Sequence, residues 1–146
     1  MKKTDLAYAA GIVDGEGCIK ISHRHSKTCN RGYQLELVVT VSNCEEWLPQ
    51  WFKFAFGGCL FYRNRNKKNP KWRDAWDWQI CANQACAFLK LILPYLHLKR
   101  PQAEIAIKFQ ETKRVRGYGR HGLSDEAFAI EEAQQILLHS MKGRKD

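Results

Sequence analysis

No stretch of this sequence stays apolar for the roughly 20 residues that a membrane-spanning helix needs, so no membrane partner is expected. Six cysteines, at 18, 29, 44, 59, 81 and 86, include no C-x-x-C pair, which argues against a zinc site. No secretory leader opens the chain, so a disulfide framework is not expected either. The thiols read as buried or incidental groups in a reducing, intracellular compartment. No linker rich in Gly, Pro or Ser divides the chain, so residues 1–146 read as one domain. Acidic side chains are in the minority: 15 Asp and Glu stand against 24 Lys and Arg, a formal charge of +9. That excess favours a polyanionic partner, the alternative being a basic protein with no specific partner.

Aromatic residues are plentiful. Five Trp, five Tyr and seven Phe argue for a packed fold and against a disordered basic tail. Thr4 can cap a first helix that runs to about Asp14. Cys18 to His25 and Tyr33 to Ser42 then alternate apolar and polar, with Val38 the exception, and read as a hairpin around a polar loop. A short helix over 45–55 contains Pro49 and ends at Gly57-Gly58. A second hairpin pairs Cys59–Arg65 with Trp72–Cys81. Asn83 can cap a helix over 84–93, and Pro101 opens another that runs to about Arg116. After a basic loop at 117–122, Ser124 caps a last helix, with Phe128, Ile130, Ala133, Ile136 and Leu137 as its apolar side. The tail from Lys142 is expected to fray.

The order α-β-β-α-β-β-α-α-α predicts an α+β domain, a four-stranded antiparallel sheet with helices on one face. The other face would carry Lys20, Ser22, Arg24, Gln34, Glu36, Thr40, Arg63, Arg65, Arg73, Asp77 and Gln79. A two-stranded ribbon can enter the major groove, where Arg suits guanine, Gln suits adenine and carboxylates accept from cytosine. A merely solvated sheet face would also be polar, and the two readings are about equally open on this pattern.

The organising stretch is Leu6 to Gly17. Small residues stand at 7, 9, 10 and 11, and Ala7 and Gly11 share a helix face one turn apart. Such a face lets a second helix come close. Gly15 and Gly17 then flank Glu16, and they are expected to end the helix through the backbone freedom of glycine.

Residues 9–17, Ala-Ala-Gly-Ile-Val-Asp-Gly-Glu-Gly, resemble the signature of the LAGLIDADG homing endonucleases, with Ala9 in place of the leading Leu. The segment Pro-Tyr-Leu-His-Leu-Lys-Arg-Pro-Gln-Ala, residues 94–103, is similar to a second landmark of that family. The signature occurs once, and single-motif members work as homodimers. The resemblance therefore implies an αββαββα fold with a saddle-shaped sheet and additional C-terminal helices. It implies a homodimer built on Ala7, Ala10, Gly11 and Asp14, with Asp14 structural rather than metal-binding. It implies site-specific cleavage of a long pseudo-palindromic duplex, leaving 3′ extensions, with Mg²⁺ or Mn²⁺ as cofactor. Glu16 and the Gly15 carbonyl would face the metal. Lys99 would stabilise charge at the cleaved phosphate, and Asn43 would contact active-site water. His23, His25, His97 and His121 show no spacing of a His-metal nuclease and suit loop or DNA-contact roles. The rival reading is a non-cleaving binder on the same scaffold, an intron RNA maturase or a transcription regulator.

Overall fold

The computed structural model describes residues 1–116 and 122–143, apart from the side chains of 114–116. His121, most of the basic loop expected at 117–122, and residues 144–146 of the expected tail lie outside the described residues. The elements follow the order α1 (Lys3–Glu16), β1 (Gly17–His25), β2 (Tyr33–Asn43), α2 (Trp47–Phe56), β3 (Cys59–Arg63), β4 (Ala75–Cys81), α3 (Ala82–Ile92), a 3₁₀ turn (Leu93–Tyr95), α4 (Arg100–Arg116) and α5 (Asp125–Ser140). The strands form one antiparallel sheet in the order β1-β2-β4-β3, so the two hairpins join through β2 and β4.

Alternation explains the layers. Ile19, Ile21, Leu35, Leu37, Val39, Val41, Trp78 and Ile80 share the buried face of the sheet. They form one core with Ala9, Ala10 and Val13 of α1, Phe52 of α2, Phe88 and Leu89 of α3, and Phe109 of α4. Each large side chain fully buried there contributes about 1.5–3 kcal/mol. Trp78 is wholly buried and satisfies its indole by donating to the Gly57 carbonyl at 2.7 Å. Gly58 follows at φ +88, and a Cβ there would stand 2.5 Å from the Gln79 carbonyl oxygen, so this turn requires glycine. Val38 faces the other side with Lys20 and Cys81 opposite it, yet it is buried. All six cysteines are free thiols.

Several expectations need correction. Lys2, not Thr4, is the N-cap of α1, and the Asp5 carboxylate accepts from the Lys2 backbone N–H at 3.2 Å. The helix runs through Gly15 to Glu16, and Gly17 has an ordinary extended φ of −74, so neither glycine ends it by left-handed geometry. Asn83 does not cap α3. Strand β4 runs straight into that helix at Ala82, which takes φ +50, and Asn83 accepts instead from Gln110 of α4 at 2.9 Å.

The second hairpin is shorter than alternation suggests. Asp74 takes the Tyr62 hydroxyl at 2.6 Å and the Asn66 N–H at 3.0 Å, which folds 64–74 into a connection. Arg65 and Arg73 therefore leave the sheet. Ser124 does cap α5, accepting from Ala127 at 3.2 Å, but the buried side of that helix is different. Phe128, Glu131, Gln135 and Leu138 form the inward stripe, and Gln135 donates to the Ile21 carbonyl of β1 at 2.9 Å. Ile130, Ala133, Ile136 and Leu137 face outward. The contact with β1 and α4 sets the rotation of α5, and composition alone does not show it.

Candidate active site at the end of the first helix

The junction of α1 and β1 is tight for a steric reason. A Cβ on Gly17 would lie 2.7 Å from Val13 Cα and 2.8 Å from the Val13 carbonyl oxygen. Glycine here lets strand β1 leave directly beneath the last helical turn. Glu16 is thereby held at the very end of α1, and its side chain is exposed.

Asn43, the last residue of β2, fixes that carboxylate. Its Nδ2 donates to Glu16 Oε2 at 2.8 Å, while its Oδ1 accepts from the Glu45 backbone N–H at 2.7 Å. The amide is held at both ends and points one carboxylate oxygen of Glu16. Lys99 closes the same helix end from below. Its Nζ donates to the Val13 carbonyl at 2.7 Å and to the Gly17 carbonyl at 2.6 Å. A cation is favoured there, because the helix C-terminus carries partial negative charge. Burial pushes the Lys99 ammonium below the ordinary lysine value.

Asp14 ties the segment after the 3₁₀ turn to the same place. Its carboxylate accepts the backbone N–H of His97 at 2.8 Å and of Lys99 at 2.9 Å. Burial would raise this carboxyl, but the N–H groups of His97, Lys99 and Leu98 stabilise its ionised form and hold it below the usual range. The structure thus brings Asp14, Glu16, Asn43 and Lys99 to one helix end. Gly15 stands in the last turn, exposed, with nothing within 4 Å of a Cβ placed on it.

The donor set of one chain is small. Among the described residues no group of three His, Cys, Asp or Glu side chains could hold a metal ion. Glu16 is a hard oxygen donor of the kind Mg²⁺ takes, and Mg²⁺ completes its sphere with water and substrate phosphate. The residues therefore fit a divalent metal only as part of a site that something else completes.

The exposed face of α1 runs through Ala7, Gly11 and Gly15. A Cβ on Gly11 would likewise meet nothing within 4 Å. Ala10 does not belong to this face: it is fully buried in the core of its own chain, so its place in the expected interface is corrected.

Lys20, Ser22, Arg24, Gln34, Glu36, Thr40, Arg63, Asp77 and Gln79 share the outer face of the sheet, as the strand register requires. Several are pre-paired. Arg24 meets Glu36 at 2.9 Å and Arg63 meets Asp77 at 2.6 Å, while Ser42 accepts from Arg63 at 3.4 Å. Exposed pairs of this kind add about 0–1 kcal/mol to stability, so they orient side chains at little cost to exchange. Arg65 and Arg73 are off this face, the first over the Trp72 ring at 5.5 Å and the second paired with Glu45 at 2.7 Å. Phe61, opposite Asp77, shares this face and stands half exposed.

Neither a protein-family model nor a curated protein matches the sequence. Solved structures do. Homing endonuclease I-CvuI, in complex with its target, superposes with a TM-score of 0.77 at 19% identity, covering 98% of this chain and 85% of that one. The archaeal intron-encoded homing endonuclease I-Vdi141I, complexed with DNA, gives 0.77 at 13% identity over 100% and 89%. The fold is that of the homing endonucleases. The LAGLIDADG meganuclease I-AabMI, bound to uncleaved DNA, matches 88% of this chain but only 44% of its own, at a TM-score of 0.66 and 17% identity. One copy of this chain thus spans about half of that LAGLIDADG protein. No helix of the described residues is long and apolar enough to cross a membrane.

Proposed function

We propose that this chain is a site-specific double-stranded DNA endonuclease that acts as a homodimer with a divalent metal, Mg²⁺ or Mn²⁺. The observation that carries the reading is Glu16: an exposed carboxylate, aimed by Asn43, at the end of a helix whose outer face is Ala7, Gly11 and Gly15, on a homing-endonuclease fold. Helices come closest where their contact residues are small. Pairing two α1 helices along that stripe would bring two copies of Glu16 together and complete the donor set that one chain lacks.

Glu16 and the Gly15 carbonyl would hold the metal, which when bound supplies a water of lowered pKa and charge neutralisation at the phosphate. Asn43 keeps the Glu16 carboxylate from swinging into solvent. Lys99 adds positive charge beside the developing phosphorane, an electrostatic contribution. The outer sheet face reads base edges through Gln34, Gln79 and the Arg residues, with the paired acids Glu36 and Asp77 available to cytosine. A twofold dimer would read a pseudo-palindromic site. The protein would accordingly be DNA-associated.

The test is cleavage of a random duplex library in Mg²⁺ by the wild type and by Glu16→Gln. The reading expects recurrent cut sites from the wild type and none from the variant, with duplex binding kept by both. Binding of a selected duplex by both proteins without any nick would instead establish a non-cleaving binder.

A further inference from the structure

Phe61 is out of keeping with its surroundings. On β3 it shares the outer face of the sheet with Cys59 and Arg63, across from Gln79, Asp77 and Ala75 of β4. Val38, an apolar residue in the middle of that face, is buried. Tyr62 turns the other way and packs on Trp76, with ring centroids 5.4 Å apart. Phe61 instead keeps 49% of its surface exposed. A solvated face has no use for a half-exposed phenyl ring. On β3, at the edge of the sheet, such a ring also invites unwanted strand pairing. The groups around it are polar and held. Asp77, directly opposite, is paired with Arg63 at 2.6 Å, and the Arg63 guanidinium also donates to Ser42 at 3.4 Å. Ring, carboxylate and guanidinium therefore form one patch on the surface assigned to the duplex.

The major groove offers such a patch one apolar group. Every other feature of the base edges is a donor or an acceptor, but thymine carries a methyl group at C5. Cytosine carries one at the same position when it is methylated. Arg63 suits guanine O6 and N7, and Asp77 suits the cytosine N4 amine, so the polar pair fits a G·C base pair. The C5 edge of a pyrimidine lies next to its C4 substituent, on the side where Phe61 flanks Asp77. We propose that Phe61 is a specificity-determining residue that covers the C5-methyl group of one pyrimidine in each half-site, at or beside the base pair met by Arg63 and Asp77. The methyl group belongs to thymine or to 5-methylcytosine. The inference rests on the DNA reading above and deepens it: the target must present a methyl group, a requirement that the polar residues of the face cannot impose.

The experiment measures duplex affinity in the Glu16→Gln background, on a target selected from an ordinary library. Each thymine of the target is replaced in turn by uracil, which removes the methyl group and leaves every donor and acceptor in place. Each cytosine is replaced in turn by 5-methylcytosine, which adds one. Loss of one buried methyl contact should weaken binding about 4-fold in one half-site and about 14-fold when both are changed. Phe61→Ser, folded by its melting curve, should be indifferent at the responding position, and Phe61→Leu, which keeps an apolar side chain, should stay sensitive. A response to uracil identifies thymine as the source. Tighter binding on cytosine methylation, again lost in Phe61→Ser, identifies 5-methylcytosine. Methyl sensitivity that survives in Phe61→Ser, or no sensitivity at any pyrimidine while Phe61 is present, would overturn the contact and leave the nuclease reading intact. Absence of any duplex binding by the Glu16→Gln protein would overturn both.

Discussion

Replacing Gly11 by alanine adds one methyl group to an open surface: among the described residues, nothing beyond the helix's own backbone lies within 4 Å of the new Cβ. Gly11 sits in the interior of α1, where alanine is favoured over glycine by about 0.5–1 kcal/mol. Gly15 presents the same situation one turn later. The isolated chain should therefore be stabilised, by about 1–2 kcal/mol for the double variant. At this chain length each kcal/mol raises the melting temperature by about 2–4 °C. If α1 packs against its symmetry mate along this stripe, the same methyl groups meet across the axis. Overpacking of a close contact costs about 1–3 kcal/mol, which weakens the dimer by about 5- to 150-fold.

The assay is a melting series across protein concentration together with sedimentation equilibrium. Wild-type melting should rise with concentration, because association stabilises the folded form. The Gly11→Ala and Gly15→Ala double variant should melt higher than wild type when dilute, lose the concentration dependence, and sediment as a monomer where the wild type is a dimer. A variant that is more stable and equally dimeric would show that the stripe faces solvent, and the reasoning that places Glu16 on a twofold axis would fail.

Gly17→Ala is expected to do the opposite, because its methyl would stand 2.7 Å from backbone at Val13. It should destabilise the chain by about 1–3 kcal/mol in a denaturant titration, without any left-handed strain at φ −74. Asn43→Ala frees Glu16 Oε2, so turnover in Mg²⁺ should fall by tenfold or more while duplex affinity in a cleavage-deficient background stays within a factor of a few. Asp14 has a folded pKa below its unfolded one, so its stabilising contribution is present above the ordinary carboxylate range and disappears as pH falls through the folded value. Asp14→Asn should accordingly lower stability near neutrality, with the gap to wild type closing in acid, as followed by melting against pH.

Local pattern disclosed most of the architecture and only part of the site. Alternation in Cys18–His25 and Tyr33–Ser42, broken only at Val38, specifies a half-buried hairpin, and the structure pairs those residues in register. Arg65 and Arg73 show the limit of such patterns. Alternation continues past Arg63, but Asp74 captures Tyr62 and Asn66 and bends the chain away. Ala10 was indistinguishable from Ala7 by size; which of the two faces the sheet depends on the rotation of α1 about its axis, and that is set by Val13 and the core beneath it. The α5 stripe failed for the same reason. Apolar character predicts Phe128, Ile130, Ala133, Ile136 and Leu137 as the inner side, whereas packing on β1 keeps only Phe128 of these and adds Glu131, Gln135 and Leu138. Asn43 and Lys99 were expected near Glu16 from resemblance alone; the bond from Asn43 to Glu16 and the closure of the helix by Lys99 are properties of the fold.

The central claim is that Glu16 is half of a site. Co-expressing wild type and Glu16→Gln under different tags yields a mixed dimer that can be purified and given a plasmid carrying a selected target in Mg²⁺. Wild-type dimers should linearise that plasmid, and the mixed dimer should not. Linearisation by the mixed dimer at the wild-type rate would show that one carboxylate suffices and would contradict the shared site.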